Sequence, residues 1–520
     1  MTADINLLFA TNENYILWKA DDSDYKEIVS DLTVEELVIY LKKMKNDFPA
    51  EYLYKPCFKI EDAIHRHEVM EELLCDNDLL EFSSDFILKM KVIAKLLTDY
   101  FDERNEWQKR IKFLRVVSEF SKCIMEGATK LELSKSCALS KLGRYCKEEV
   151  VRYHINEMRD DVELHIEAIN SALTGNSLMF DRRAGVFTLR RENVSIGNFS
   201  TLKRDIVNVF GININDSFSI VDSSPFGQFE DRLLQIYVED NPGIFSDISN
   251  FSDENQNILQ LIQKFCNLYD QLVFYVVYVS FIKHIAHNGL VCCRPMFCET
   301  LYQAQKCVPP ALVARRLNEG GGLTDIVEND IFLPKSGIVV ISGKNQGGKT
   351  TYLKMLGLTA FLAKCGCYVM SEYCDVPFYG NIFTHFIRRE KMGKSRLVYE
   401  VERLERILEK SSGETLVLLN ESFTTTRRKD GLELATHYLE RLIDRECSVG
   451  FVTFYYEISS INDILAQVAI TLSSVEKPNA SEMYKLVPQP PNNRANAYDI
   501  ARKCGMTFEQ LKSEIVRLCR

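Results

Sequence analysis

The sequence predicts a multi-domain chain: a mostly α-helical first part carrying a small β insert, followed by an α/β domain. Three observations predict it. Residues 103–173 contain no proline and repeat apolar residues at three and four, as in Phe113, Val116, Val117 and Phe120. Residues 175–222 change to turn and strand patterns. From Ile338 onward, apolar runs of strand length alternate with helical stretches.

Composition narrows the class. The chain has 520 residues, 46% hydrophobic and 26% charged, which fits two to four soluble globular domains. The longest apolar run, Leu272 to Ile282, is too short to span a bilayer and reads as a buried helix. No basic-apolar-small leader opens the chain, and its 16 cysteines are scattered without a C-x-x-C pair. Reduced, mostly buried thiols and an intracellular, cytoplasmic location are expected, nucleoid-associated if the source is prokaryotic. His65-x-His67 and His284-x-x-His287 lack a second ligand pair at zinc spacing, which argues against a structural metal. Residues 1–300 carry 34 basic and 48 acidic side chains, and residues 301–520 carry 29 and 25. An acidic first half excludes indiscriminate coating of nucleic acid, so any such site there must be local.

Taken in order, residues 1–100 are mixed. Asn6 to Phe9 and Tyr15 to Trp18 have the look of short strands. Thr33-Val-Glu-Glu36 is a capping box for a helix to about Lys45, and further helices are expected over 62–75 and 85–99. Residues 101–290 form the helical region, with the insert at 175–222. Within the insert, Ser177–Phe180 and Gly185–Leu189 form a hairpin and Phe218–Val221 a further strand. Arg182, Arg183, Arg190, Arg191, Lys203 and Arg204 make it the one basic island of the acidic half. Such an island suits a grip on a phosphate backbone or is an ordinary solvated hairpin. Asp253 to His287 reads as one long helix. The α/β domain occupies 291–505, with strands at Ile338–Ser342, Thr415–Leu419, Val449–Phe454, Ala466–Leu472 and Tyr484–Val487. Helices at about 351–364, 396–410, 431–445 and 495–504 alternate with them. A last helix, capped by Thr507-x-x-Gln510, fills 506–520.

The stretch that carries chemistry is GKNQGGKT at 343–350, between the strand Ile338–Ser342 and a helix. It fits G-x-x-x-x-G-K-[ST], the phosphate-loop pattern. Gly343, Gly347 and Gly348 let backbone N–H groups close on nucleotide phosphates, with Asn345 at the tip. Lys349 reaches the β/γ oxygens, Thr350 offers a hydroxyl to Mg²⁺, and Thr351 opens the helix whose dipole favours the anion. ATP and Mg²⁺ are the cofactors this predicts. The strand 415–419 ends in Asn420-Glu421 where two acids are usual. Asn420 keeps an oxygen for a Mg²⁺-bound water but loses the charge, and Glu421 is the candidate base. Binding is expected to survive while Mg²⁺ affinity and turnover fall.

Beyond the loop, several segments resemble the MutS family of DNA mismatch-repair ATPases. Val327-Glu-Asn329-Asp330 is similar to the family's Val-Pro-Asn-Asp, and the loop to its Gly-Pro-Asn-Met-Gly-Gly-Lys-Ser. Tyr352, Gly366-Cys-Tyr368-Val369, Asn381-Ile-Phe383-Thr384, Lys394-Ser395 and Asp430-Gly431-Leu432 also resemble family segments, as does Ala497-Tyr498-Asp499-Ile500 with Gly505. Ile64-His-Arg66 with Val69 and Leu73 matches a weaker core pattern. The specific match covers about 295–505; over 55–290 it is architectural.

The resemblance implies an ABC-type ATPase domain that pairs with a second one, as a homodimer or heterodimer. Ser395 then matches the serine that reaches the partner's γ-phosphate, although it also fits a helix N-cap. It further implies lever helices over 105–175 and 253–287, with a DNA clamp at 177–222. Departures accompany it. The glycines and arginine that follow the family's Asp-Glu are absent from Asn420-Glu421-Ser-Phe-Thr-Thr-Thr426, and Phe454 replaces the phosphate-sensing histidine. About 55 residues precede the first core-like segment, so a member without the mismatch-reading N-terminal domain is expected. Phe297-Cys-Glu299 has the letters of the mismatch wedge but stands at the entry to the ATPase domain. The expectation is a dimeric, ATP-switched DNA clamp with slow hydrolysis that does not read mismatches. The alternative is a nucleotide-gated protein-interaction module with negligible ATPase and no DNA binding.

Overall fold

Phe113, Val116, Val117 and Phe120 are fully buried along one side of the Glu106–Lys130 helix, as their spacing requires. The computed structural model describes residues 5–23, 25–174, 176–181, 186–191, 234–235, 238–386, 396–475, 483–489, 506 and 508–512. Two compact units emerge. One comprises Met1–Leu7 with Asp76–Val273, the other Leu8–Cys75 with Phe274–Arg520. The first hundred residues, expected as one segment, are therefore shared between the two.

The first unit contains the helices Asn77–Asp102, Glu106–Lys130, Cys137–Arg152, Ile155–Thr174, Pro242–Glu254 and Ile258–Cys266. Side chains start two of them: Asp76 accepts from Leu79 N at 2.9 Å, and Asn105 from Trp107 N and Gln108 N. Phe86 and Phe120 meet Phe265 edge-on at 5.7 and 5.4 Å. The single helix expected over 253–287 is broken. It resolves into Pro242–Glu254, Ile258–Cys266 and Tyr269–His287. The first break follows from asparagine chemistry: Asn255 Nδ2 donates to Phe251 O at 2.9 Å, closing the helix with a side-chain bond. The hairpin of the insert is present as strands β1 (Asn176–Asp181) and β2 (Val186–Arg191), paired antiparallel. Arg190 and Arg191 lie in β2, while Arg182, Arg183, Lys203, Arg204 and the strand expected at 218–221 lie outside the described residues.

The second unit is mixed α/β. Strands β3 (Met296–Cys298), β4 (Leu301–Cys307), β5 (Asn329–Pro334) and β7 (Tyr373–Pro377) form one sheet in the order β3-β7-β4-β5. The other contains β6 (Ile338–Ser342), β8 (Asn381–Phe386), β9 (Thr415–Asn420), β10 (Ser448–Val452), β11 (Ala469–Ser474) and β12 (Leu486–Pro488), in the order β12-β11-β6-β10-β9-β8. All its pairings are parallel except β11 with β12. Strands β6 and β10 are buried along their whole length, as continuous apolar runs demand when both faces are covered. Leu404, Ile407, Leu408, Tyr438, Leu439 and Leu442, from the Arg396–Lys410 and Arg428–Ile443 helices, share a core with Val340, Val417 and Phe451. The Lys349–Lys364 helix packs on β10 and β9.

Several expectations are corrected here. Tyr15–Trp18 lies in the Asn12–Ala20 helix and Asn6–Phe9 is not a strand. Thr33 does not cap the Val34–Met44 helix with its side chain. The preceding Lys26–Leu32 helix ends one residue earlier, so Thr33 takes a left-handed φ of 58° and its hydroxyl donates to Leu32 O. The strand expected from Ala466 begins at Ala469, because Asn462 caps a short Asp463–Val468 helix. The Leu272–Ile282 run is indeed a buried helix, with Phe274 stacked near Phe48 at 6.2 Å. The stretch Ile258–His287, which spans the helices Ile258–Cys266 and Tyr269–His287, is long and apolar enough by composition to cross a membrane, yet 72% of its most apolar window is buried in the protein. Phe297 sits in β3 between His67 and Phe378, at 5.7 and 5.3 Å, so it is a packing residue.

Residues 8–75 wrap onto this α/β unit through buried charge. Asp31 accepts from Thr384 Oγ1 at 2.8 Å and from Arg403 Nη2 at 3.0 Å, and both charged side chains are 4% exposed. Arg66 is fully buried; Nε donates to Leu8 O at 3.0 Å, Nη1 to Cys365 O at 2.9 Å, and the guanidinium lies 4.9 Å from the Phe9 ring.

Candidate nucleotide site

The site forms where β6 meets the Lys349–Lys364 helix. β6 has β11 on one side and β10 on the other, so the strand order reverses around it, the position at which open α/β sheets bind ligands beyond the strand ends. Register does the placing. Ile341 pairs with Val452, and Val452 with Asn420, so the end of β9 comes level with the start of the loop. Glu421 N donates to Val452 O at 2.8 Å and Thr453 N to Ile341 O at 3.1 Å, which extends that alignment past the strands.

The loop is a cradle that a side chain would fill. Gly343 has φ +120°, and a Cβ there would stand 2.5 Å from Ser474 Oγ. Gly348 has φ +86° and is the N-cap of the helix, with no side-chain cap bond. The first-turn N–H groups thus face the crevice uncapped, which suits an anion. Asn345 and Thr351 are exposed, at the loop tip and the first helical turn. Lys349 is 5% exposed. Its Nζ folds back onto the loop, donating to Gly343 O at 2.9 Å and Lys344 O at 2.8 Å, and lies 5.1 Å from the Phe454 ring. Burial pulls its pKa below the usual lysine range, against the opposing charge of Glu421.

Thr350 Oγ1 donates to Asn420 Oδ1 at 3.0 Å. These oxygens with the Glu421 carboxylate are a hard donor set of the kind Mg²⁺ takes, but with one charge instead of two. Glu421 stands at φ +57° and Phe423 at φ +65°, unusual for non-glycine residues. Glu400, 4% exposed, holds that turn: Oε1 accepts from Phe423 N at 2.6 Å and Oε2 from Thr425 Oγ1 at 3.0 Å. His385 Nδ1 and Ser422 Oγ are 2.7 Å apart beneath it. Thus the segment that lacks glycine is shaped by buried carboxylate contacts. Ser395 lies outside the described residues.

Of the expected site residues, Gly343, Gly347, Gly348, Lys349, Thr350, Asn420 and Glu421 come together; Ser395 and most of the basic island are not described. Sequence reading missed Ser474, whose hydroxyl accepts from Lys344 N at 3.3 Å, and Glu400 and His385. It also missed how Asn329 acts: Oδ1 accepts from Leu486 N at 2.8 Å and Nδ2 donates to Tyr484 O at 3.3 Å, fixing Tyr484 beside Gly348. These residues come from distant segments, and only their motif neighbours signalled them.

The sequence model of MutS domain V matches residues 339–511. A DNA mismatch repair protein MutS of Thermotoga maritima is 34% identical over 147 residues, 28% of this chain and 18% of that protein. Residues 339–511 of this chain are thus similar to domain V of the MutS family. MutS proteins of Petrotoga mobilis and Thermus thermophilus are each 28% identical, over 190 and 189 residues, covering 36% of this chain and 23% of each of theirs. The chain therefore matches about a fifth of the length of these curated MutS relatives, and the domain V match at 339–511 includes the glycine loop.

Proposed function

We propose that this chain belongs to the MutS family, binds ATP with Mg²⁺ at the loop 343–350 and uses it as a conformational switch for DNA binding, as a homodimer or heterodimer and with slow hydrolysis. The observation that carries the reading is the cradle itself: a glycine loop at the turning point of a parallel sheet, with Lys349, Thr350, Asn420 and Glu421 converging on it. The curated relatives are named DNA mismatch repair proteins, which supports DNA as the partner.

Mg²⁺, when bound, would offset phosphate charge. The residues do the rest. Lys349 must leave the carbonyls of Gly343 and Lys344 to meet a phosphate, exchanging two neutral acceptors for a charged one. Thr350 and Asn420 hold each other in place for metal-bound water. Glu421, held by the Val452 carbonyl, orients and deprotonates the attacking water. A neutral Asn420 and a phenyl ring at 454 remove two polar functions from this apparatus, which supports slow turnover. Arg182, Arg183, Arg190, Arg191, Lys203 and Arg204 form the DNA contact of a clamp at the end of lever helices in this reading, and Ser395 completes the partner's site.

Calorimetric titration with ATP and Mg²⁺ tests the nucleotide part. Micromolar binding that Lys349→Ala abolishes supports it; equal binding by both proteins would remove the loop from the account. The second reading, a nucleotide-gated protein-interaction module, is favoured by the same losses at 420 and 454. It predicts nucleotide binding without DNA affinity.

A further inference from the structure

A second cavity, of about 550 Å³, lies in the α/β unit away from the glycine loop. Its walls are the segment 23–28, the end of the Lys349–Lys364 helix, strand β8 and the Arg396–Lys410 helix. Such a volume is that of a small-molecule site. Its lining is unusually cationic: Lys364, Arg403, Arg406 and Lys410 face it, with Glu27 the only carboxylate among the described lining residues.

These cations are not equivalent. Arg403 is committed to Asp31, the Thr384 carbonyl and Glu27, at 3.0, 2.8 and 3.3 Å, and serves as wall. The other three have capacity left. Arg406 donates Nε to Glu402 O at 3.3 Å, and its terminal nitrogens have no partner among the described residues. Lys410 makes no hydrogen bond or ion pair among the described residues. Lys364 is 6% exposed, and its partners there are the Gly380 carbonyl and the Phe378 ring rather than a carboxylate.

A helix dipole accounts for a lysine near a C-terminus such as 364 or 410. It does not account for burying one: Lys364 makes no ion pair among the described residues, and the charge of Glu414 nearby only partly offsets the cost of burial. Burial lowers the Lys364 pKa to about 8. Arg406 and Lys410 are also four apart on one helix face, where like charges repel. Both costs fall when an anion enters. Beside the cations stand Phe361, Phe383 and Ile407, an apolar surface for an organic body.

We propose that this cavity binds an organic phosphate of about mononucleotide size, its phosphate on Lys364, Arg406 and Lys410 and its body on the apolar wall. The site is separate from the glycine loop, and the proposal stands whether or not that loop binds ATP.

The test uses the full chain carrying Lys349→Ala, which disables the loop, with AMP, inorganic phosphate and adenosine as probes in calorimetry. AMP should bind, phosphate more weakly, and adenosine at least about tenfold more weakly than AMP, the scale of charged hydrogen bonds. Adding Arg406→Glu and Lys410→Glu, both exposed positions, should raise the AMP dissociation constant at least about tenfold. Lys364→Gln should do the same where circular dichroism shows it folded; if it unfolds, the exposed pair decides. Absence of AMP binding, adenosine binding as tightly as AMP, or affinity unmoved by the charge reversals would overturn the proposal.

Discussion

Thr350 Oγ1 donates to Asn420 Oδ1 across 3.0 Å, joining the first turn of the loop helix to the end of β9. The bond uses the asparagine oxygen and leaves its amide nitrogen as a donor where the usual acid would present only acceptors. Asn420→Asp restores a negative charge. It should tighten Mg²⁺ binding in the nucleotide complex by about tenfold, the scale of one added charge beside a cation, and raise turnover. Titrating Mg²⁺ against ATPase rate and nucleotide affinity checks this; a variant no faster and no tighter than the parent contradicts the role given to Asn420.

The ring of Phe454 lies 5.1 Å from Lys349 Nζ, over the folded-back ammonium. At a ring 40% exposed, such a contact contributes about 0.5–1 kcal/mol. Phe454→Ala should therefore release Lys349 for a phosphate and improve ATP affinity about two- to fivefold. Stopped-flow binding of a fluorescent ATP analogue measures it. Weaker binding in the variant would mean that the ring contacts nucleotide instead of restraining the lysine.

Asp31 and Arg403 form a buried pair that ties the Lys26–Leu32 helix to the sheet edge. Removing one partner of such a pair costs about 3–5 kcal/mol, because the other charge is left buried. Glu27, 3.3 Å from Arg403 Nε but 50% exposed, offsets little of that. Asp31→Ala should lower the denaturation midpoint of the α/β unit without changing the slope. An unchanged midpoint would show the pair to be neutral.

His67 is 1% exposed, and burial holds its pKa down at about 3, with Arg294 acting in the same direction. The folded state thus takes up its proton later than the unfolded chain, whose histidine titrates near 6.5. Stability from this group is intact above about pH 6.5 and is lost as pH falls toward 3, by up to about 1.4 kcal/mol per pH unit. The difference in unfolding free energy between the parent and His67→Phe, followed from pH 7 to 4, isolates it. Parallel curves would contradict the assignment.

Much of the second unit was legible because its elements announce themselves. Ile338–Ser342 opens with four apolar residues and stops at Gly343, and the structure gives that strand with the same bounds. The Arg396–Lys410 helix likewise matches its expected range. What failed has local causes. Thr33 carries a capping-box pattern, but a preceding helix ends against it and turns its backbone left-handed. The run from 253 to 287 has helical periodicity throughout, and asparagines at 255 and 267 stop it. At the site, the loop and its two strand-end partners were readable as motifs. Glu400, Ser474 and the clasp of Asn329 on residues 484–486 were not, because each contributes hydrogen bonds across the fold and no spacing in the chain records them.

The most direct test of the central claim is DNA affinity at fixed salt, for perfect duplex, mismatched duplex, four-way junction and single strand, with and without a non-hydrolysable ATP analogue. Salt-sensitive binding to duplex or junction that shifts with nucleotide, without preference for the mismatch, is the expected result. Charge reversal at Arg190 and Arg191 should weaken that binding. Nucleotide binding with no affinity for any of the four DNAs, in either state, would contradict a DNA switch and leave the protein-interaction reading.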